Sequence, residues 1–227
     1  GGGTTGPAAS PRGADKGLKV TALDKNEKTL ALAGQIAAVN SRVMAEKGIT
    51  IDKKVLAADW LKMSGSRVQE DLLWIFLNRS AEGFHWMLDL AGDCIDVGVY
   101  EAYKGPMFSE YPGTHHIFQK QGSTKYKAWG GGPLACEILE KALIEKGGTL
   151  LRLTPALYLE KNGEGRVTGC IAKCPDEKYR RYQGTKAVVL ATGDCSEDRE
   201  MLEAFCPIGT RPPNHFRRPG NTGDGQK

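Results

Sequence analysis

Gly1-Gly2-Gly3-Thr4-Thr5-Gly6 opens the chain with glycines in the spacing G-x-G-x-x-G at Gly1, Gly3 and Gly6. In such a loop one glycine makes the tight turn, the next lets backbone N–H groups reach a pyrophosphate, and the third lets a helix pack close to a sheet. The spacing predicts a dinucleotide-binding unit. An apolar strand normally leads into such a loop, and none precedes Gly1, so that strand is expected to lie outside this sequence. Downstream, Leu18-Lys19-Val20-Thr21-Ala22-Leu23-Asp24 reads as a strand ending in an acid. Asp24 falls eighteen positions after Gly6, close to the ~20 expected for a ribose-binding carboxylate. The intervening helix holds Pro7, which suits a first turn, but also Pro11, which costs ~3 kcal/mol inside a helix, and Gly13, which costs ~1 kcal/mol. A short or kinked helix is expected.

Working outward, the 227 residues suffice for a sizeable core, and 40% hydrophobic with 26% charged residues is ordinary for a globular chain. The 29 glycines concentrate at 1–6, 130–132 and 220–225, as ligand-cradling loops do. A net charge of +4 is too small to point to nucleic acid. The six cysteines form no C-x-x-C pair and have no histidine at zinc-ligand spacing, so no metal is expected and reduced thiols in a cytoplasmic setting are. No apolar run nears the roughly 20 residues needed to cross a membrane.

Helical periodicity covers about 52–92, with Ser66-Arg67-Val68-Gln69 in the form of a capping box. Val68, Leu72, Leu73, Phe76 and Leu77 share one predicted face, and Phe84, Met87, Leu88 and Ala91 extend it to a stop at Gly92. About 97–129 shows no period and is expected to be an irregular excursion. Pro133 to Lys146 is the clearest helix. Leu150–Leu153 reads as a strand, followed by a hairpin of Leu157–Lys161 and Arg166–Lys173 joined by Asn162-Gly163-Glu164-Gly165. Lys186–Thr192 is a continuous apolar run, the form of a buried parallel strand, and Ser196 is placed to cap a helix over 197–205.

A second ligand signal follows that run: Ala191-Thr192-Gly193, and near the end Gly223-Asp224-Gly225. Small residues at these turns let backbone meet a ligand with no side chain between. Taken with Gly1–Gly6, Val20–Lys25, 33–38, 85–98, Gly130–Pro133, Thr154–Ala156, Gly165–Gly169 and 187–207, these stretches make the chain resemble the FAD-binding part of the fumarate reductase / succinate dehydrogenase flavoprotein family, the soluble FAD-dependent oxidoreductases, over nearly its whole length.

The resemblance implies an α/β, Rossmann-like FAD-binding domain over 1–227, with a mostly parallel sheet that carries Val20–Leu23 and Val188–Leu190 near each other. It implies that Gly1, Gly3, Thr5 and Gly6 turn beneath the FAD pyrophosphate and that Asp24, with Lys25 beside it, meets the adenosine ribose. Gly34 and Gln35 match a loop on the pyrophosphate and flavin side, and Ala156 a backbone contact to adenine. Ala191, Thr192 and Gly193 match the second phosphate-side loop, and Gly223, Asp224 and Gly225 the loop beside the flavin. The implied function is an FAD-dependent oxidoreductase that reduces an activated C=C bond or runs the reverse desaturation on a small, enoate-like or steroid-like substrate. Its electron donor is not implied. The family's catalytic residues belong to a capping domain beyond Gly225, so the chain alone is expected to turn over little substrate.

Three departures stand out: Asp194 replaces the family's second glycine after A-T-G, and Pro11 and Gly13 interrupt an otherwise alanine-rich helix. Asp194 and Pro11, with both glycine-rich ends looking cut off, keep open a non-catalytic remnant without stable FAD. An NAD-binding dehydrogenase fragment shares the first loop and Asp24 but leaves the other two loops without a role. His85 reads as structural, His115 and His116 as loop residues with substrate contact as the alternative, and Trp60, Trp74 and Trp86 as core. Trp129, beside Gly130–Gly132, is the aromatic expected near a ligand.

Overall fold

A computed structural model describes residues 3–29, 34–101, 111–211 and 220–227. In chain order the elements are α1 (Thr5–Asp15), β1 (Thr21–Leu23), β2 (Gln35–Ala37), α2 (Arg42–Glu46), α3 (Lys53–Met63), α4 (Glu70–Ala91), β3 (Ile95–Glu101), β4 (Pro112–Gln119), α5 (Gly131–Glu145), β5 (Thr149–Leu151), β6 (Ala156–Lys161), β7 (Val167–Lys173), β8 (Tyr179–Gln183) and α6 (Arg199–Phe205). The chain divides into two units, 1–30 with 140–227 and 31–139, so the boundary falls within α5.

In the first unit β1 pairs with β5 in parallel, Thr21 opposite Thr149 and Leu23 opposite Leu151. A separate antiparallel sheet runs β6-β7-β8. The Asn162 turn is built as its sequence suggests: the Asn162 side chain accepts from the backbone N–H of Glu164 (3.1 Å) and Arg166 (2.9 Å). The third strand, β8, was not legible, because Tyr179-Arg180-Arg181-Tyr182-Gln183 is mostly exposed and lacks an apolar alternation.

Helix α1 corrects an expectation. It runs eleven residues with Pro11 inside it. The missing Pro11 N–H affects one position only, and the ring is fully buried, so packing offsets the local loss. Gly13 is used for close packing: a Cβ there would lie 3.2 Å from Val20 Cγ2. A second correction concerns Lys186–Thr192. This segment joins no sheet among the described residues, and Val189 and Leu190 are exposed. An apolar run becomes a strand only where a neighbour supplies its ladder bonds.

The second unit is built on α4. Leu73, Leu77, Phe84, Met87, Leu88 and Ala91 are its buried line, and Leu73 and Leu77 pack with Val39, Met44, Ile51 and Ala57. Burying a side chain such as Leu77 contributes ~1.5–3 kcal/mol. Leu72, expected on this face, is exposed, since a neighbouring position sits about 100° around the helix. The capping box is absent: Ser66 has φ 57°, and the helix starts after Gln69 with no side-chain cap. In the first unit, Asp198 rather than Ser196 caps α6, accepting from Met201 N–H at 2.9 Å.

The expected irregular excursion contains two strands. β4 lies between β2 and β3, antiparallel to both, with His115 opposite Ile36 and Val99. Ile117 and His115 alternate inward on β4, a pattern that a buried histidine disguises in a search for apolar periodicity. Gln35, expected in a loop, is the first residue of β2.

Candidate functional site

Helix α1 begins at Thr5, on the glycine loop itself. Thr4 precedes it in helical conformation, its side chain caps no N–H group, and the first turn carries no acid. By helix geometry the leading N–H groups have no carbonyl to bond within the helix, and the dipole makes this end partly positive. Such an end holds an anion. A Cβ on Gly3 would meet nothing within 4 Å, so the space above that backbone is free for other atoms. Gly1 lies outside the described residues, as does His215.

The end of β1 is held from both sides of its backbone. Asp24 N–H donates to Leu151 C=O (2.9 Å), and Asp24 C=O accepts from Thr154 N–H (2.7 Å). The Asp24 side chain is only 2% exposed. Oδ1 accepts from Asn26 N–H at 3.0 Å and Oδ2 from Arg152 at 2.6 Å. The short link Lys16–Val20 reverses the chain between α1 and β1, so the helix N-terminus and the Asp24 end of the strand face the same way. Ala156, two residues beyond Thr154, opens β6 opposite Ala172.

Lys25 reaches across sequence to the last loop. Its Nζ donates to Asp224 Oδ2 (2.6 Å) and Thr222 Oγ1 (3.0 Å), and Thr222 Oγ1 donates to Asp224 Oδ1 (2.6 Å). Burial pushes the Asp224 carboxyl up, but the hydrogen bonds from Lys25 and Thr222 outweigh it and hold it below the usual carboxylate range. The A-T-G and G-D-G turns interlock. Gly225 sits against the Thr192 side chain with no room for a Cβ, and a Cβ on Gly193 would come 3.1 Å from Asn221. Gln226 donates to Gly193 C=O at 3.1 Å, and Gly223 N–H to Asp194 C=O at 3.3 Å. The departure at Asp194 has a local use: its carboxylate accepts from Ser196 N–H at 2.8 Å.

The first unit thus contains Gly3, Thr5, Gly6, Asp24, Lys25, Ala156, Ala191–Gly193 and Gly223–Gly225, and bonds tie Lys25 and both later turns together. Gly34 and Gln35 belong to the second unit. Sequence reasoning missed Arg152, Thr29, Glu140 and Thr222. Only Arg152 carried a signal: a basic residue at the carboxyl end of the strand parallel to β1, where ligand sites of open α/β sheets form.

In the second unit Gly34 is packed against Gly131, whose φ is +65° and where a Cβ would lie 2.5 Å from Gly34 Cα. His115 is not a loop residue but fully buried. Its Nε2 accepts the Ser41 hydroxyl at 2.6 Å, and its Nδ1–H donates to Ile36 C=O at 3.2 Å. Ser41 also accepts Met44 N–H, capping α2. His85 Nε2 accepts Arg42 N–H at 2.7 Å, a second support for the same helix end. Burial lowers the pKa of both histidines. These bonds assign both rings a structural, neutral role. Trp129 is 71% exposed and leans on Phe118. Trp60, expected in the core, is 38% exposed and meets Phe76 edge-on. Among the described residues no group of His, Cys, Asp or Glu could hold a metal ion, and no helix is long and apolar enough to cross a membrane.

A glycine turn at an uncapped helix start, a buried acid ending the adjoining strand and two interlocked small-residue turns suit a dinucleotide. The family model of the FAD binding domain matches residues 1–227. The chain belongs to this family. FAD is therefore its cofactor, and its members are FAD-dependent oxidoreductases. The chain of this FAD-binding domain is 23% identical to the vinyl phenol reductase of Lactiplantibacillus plantarum over 226 residues, 98% of the chain and 42% of that protein. It is 26% identical to the probable fumarate reductase Ifc3 of Shewanella frigidimarina over 213 residues, 91% of the chain and 33% of that protein. The chain thus spans less than half the length of these relatives.

Two solved structures share its fold. The 3-ketosteroid-Δ4-(5α)-dehydrogenase of Rhodococcus jostii, in complex with 4-androstene-3,17-dione, has a TM-score of 0.80 at 22% identity, over 99% of the chain and 51% of that enzyme. A flavocytochrome c3 fumarate reductase in its open conformation has a TM-score of 0.75 at 22% identity, over 98% of the chain and 37% of that protein.

Proposed function

We propose that this FAD-binding domain serves a flavoenzyme that reduces an activated C=C bond of a small enoate-like or steroid-like substrate, or runs the reverse desaturation. The observation that carries the cofactor side is the buried Asp24 carboxylate at the end of β1, together with an α1 N-terminus left uncapped. The donor set fits FAD. The leading N–H groups of α1, at Thr5 and Gly6, would take the pyrophosphate, and the open space over Gly3 admits its approach. Asp24 would accept an adenosine ribose hydroxyl. Backbone at Ala156 would meet the adenine edge. The interlocked turns Ala191–Gly193 and Gly223–Gly225, fastened by Lys25, would line the flavin half and keep water from it. By the resemblance, Gly34 and Gln35 are further candidates for backbone contacts to FAD. When bound, FAD supplies the redox chemistry, and the protein orients and shields it.

The reaction class is supported by the relatives' names, since fumarate and a vinyl phenol each carry a conjugated C=C bond. The test is anaerobic reoxidation of that whole flavoenzyme, FAD-loaded and dithionite-reduced, by fumarate, a vinyl phenol and a 4-ene-3-ketosteroid, followed at the flavin's visible bands; the 227-residue chain alone is expected to react little. Rapid reoxidation by one of them is expected. Oxidation by none overturns the proposed reaction, while yellow protein at the outset preserves the cofactor assignment.

A further inference from the structure

We propose that Arg152 is a positioning residue for the cofactor: it holds the Asp24 carboxylate in the orientation that receives the ribose, and Glu140 with Thr29 hold Arg152 in turn. The proposal rests on the reading of Asp24 as the ribose acid. One guanidinium nitrogen of Arg152 donates to Asp24 Oδ2 at 2.6 Å. The other donates to Thr29 Oγ1 and Glu140 Oε1, each at 2.6 Å, and the Thr29 hydroxyl closes the ring by bonding Glu140. The guanidinium is planar with fixed donor directions, so engagement at both ends removes its freedom to swing away.

Asp24 is fixed correspondingly. Asn26 N–H takes Oδ1 and Arg152 takes Oδ2, so neither oxygen is free to rotate. The Asn26 side-chain amide also reaches Oδ1, at 3.4 Å. A carboxylate offers about four acceptor directions, which leaves capacity for one ribose hydroxyl after these three bonds. The Asp24 side chain is almost fully enclosed, so these protein donors set its orientation, and a ribose hydroxyl reaches it only where part of that enclosure opens. The cluster joins two distant stretches: Asp24 and Thr29 after β1, and Glu140 in α5 with Arg152 after β5. The arrangement goes beyond an ordinary ion pair, because one cation serves two carboxylates and only one of them faces the ligand end of β1.

The test is a double-mutant cycle on FAD affinity in the full chain, read by flavin fluorescence. Asp24→Asn and Arg152→Met should each weaken FAD binding about tenfold or more, and the double variant should be no weaker than Asp24→Asn alone to within about twofold. Arg152→Lys, which keeps the charge, should recover most of the loss. Losses that multiply in the double variant, or wild-type affinity in Arg152→Met, overturn the positioning role and leave the ribose reading intact. Unchanged affinity in Asp24→Asn overturns the ribose reading and the positioning role with it. If Arg152→Met does not fold, Glu140→Gln enters the same cycle with an expected loss of about threefold, and independence from Asp24→Asn again refutes the proposal.

Discussion

Gly131→Ala tests whether the second unit depends on backbone meeting backbone at the start of α5. Gly131 has φ +65°, and an added Cβ would lie 2.5 Å from Gly34 Cα, 3.3 Å from its N and 3.4 Å from its C. Two costs follow. A left-handed backbone costs an alanine ~1–2 kcal/mol. The overlap with Gly34 adds ~1–3 kcal/mol, because backbone atoms have no rotamer by which to yield. The expected loss is therefore ~2–5 kcal/mol, the upper part of the range for single substitutions. Gly65→Ala is the internal control: its φ is +59°, but a Cβ there meets nothing within 4 Å, so only the conformational cost applies.

The measurement is urea unfolding followed by circular dichroism, with the difference between the two variants isolating the contact. Gly34→Ala adds a third arm. Its Cβ would sit 4.0 Å from Gly131 Cα, an ordinary contact, so it should cost far less than Gly131→Ala. Equal losses for Gly131→Ala and Gly65→Ala would refute the close approach.

Gly3→Val should weaken FAD binding by about tenfold or more while leaving unfolding by urea unchanged, because an added Cβ meets no atom of the described residues within 4 Å and enters space that the pyrophosphate needs; unchanged flavin retention would remove this turn from the phosphate site. Stability should fall as pH drops below about 6.5, the ordinary histidine value, since folded His85 and His115, both lowered by burial, resist protons that the unfolded chain accepts. The contribution is fully present above that pH and is lost toward the lower, folded-state values. His115→Gln should flatten the profile of the urea midpoint between pH 7.5 and 5, and an identical slope would show that His115 does not titrate as argued.

The local sequence determined those features that residue chemistry sets over a few positions. The glycine spacing announced where α1 begins, the run Leu18–Asp24 announced a strand ending in an acid, and Asn162-Gly163 announced its hairpin. Such signals are legible because one turn or one helix end needs particular residues whatever surrounds it. Periodicity determined α3 and α4 but not which neighbours would cover them, so Trp60 and Leu72 were assigned to a core that leaves them exposed. Only tertiary structure decided the fates of His115 and Val188–Leu190. A polar ring is buried when a serine hydroxyl and a carbonyl satisfy both its nitrogens, and an apolar run pairs only if a partner strand lies alongside. The same holds for the candidate site. Asp24 could be picked out by its distance from Gly6, whereas Arg152 meets it only because β1 and β5 pair in parallel, and Thr29 in turn meets Arg152. Contacts among side chains more than a hundred positions apart leave no local trace, since each residue alone would be an ordinary charged or hydroxyl group on a surface.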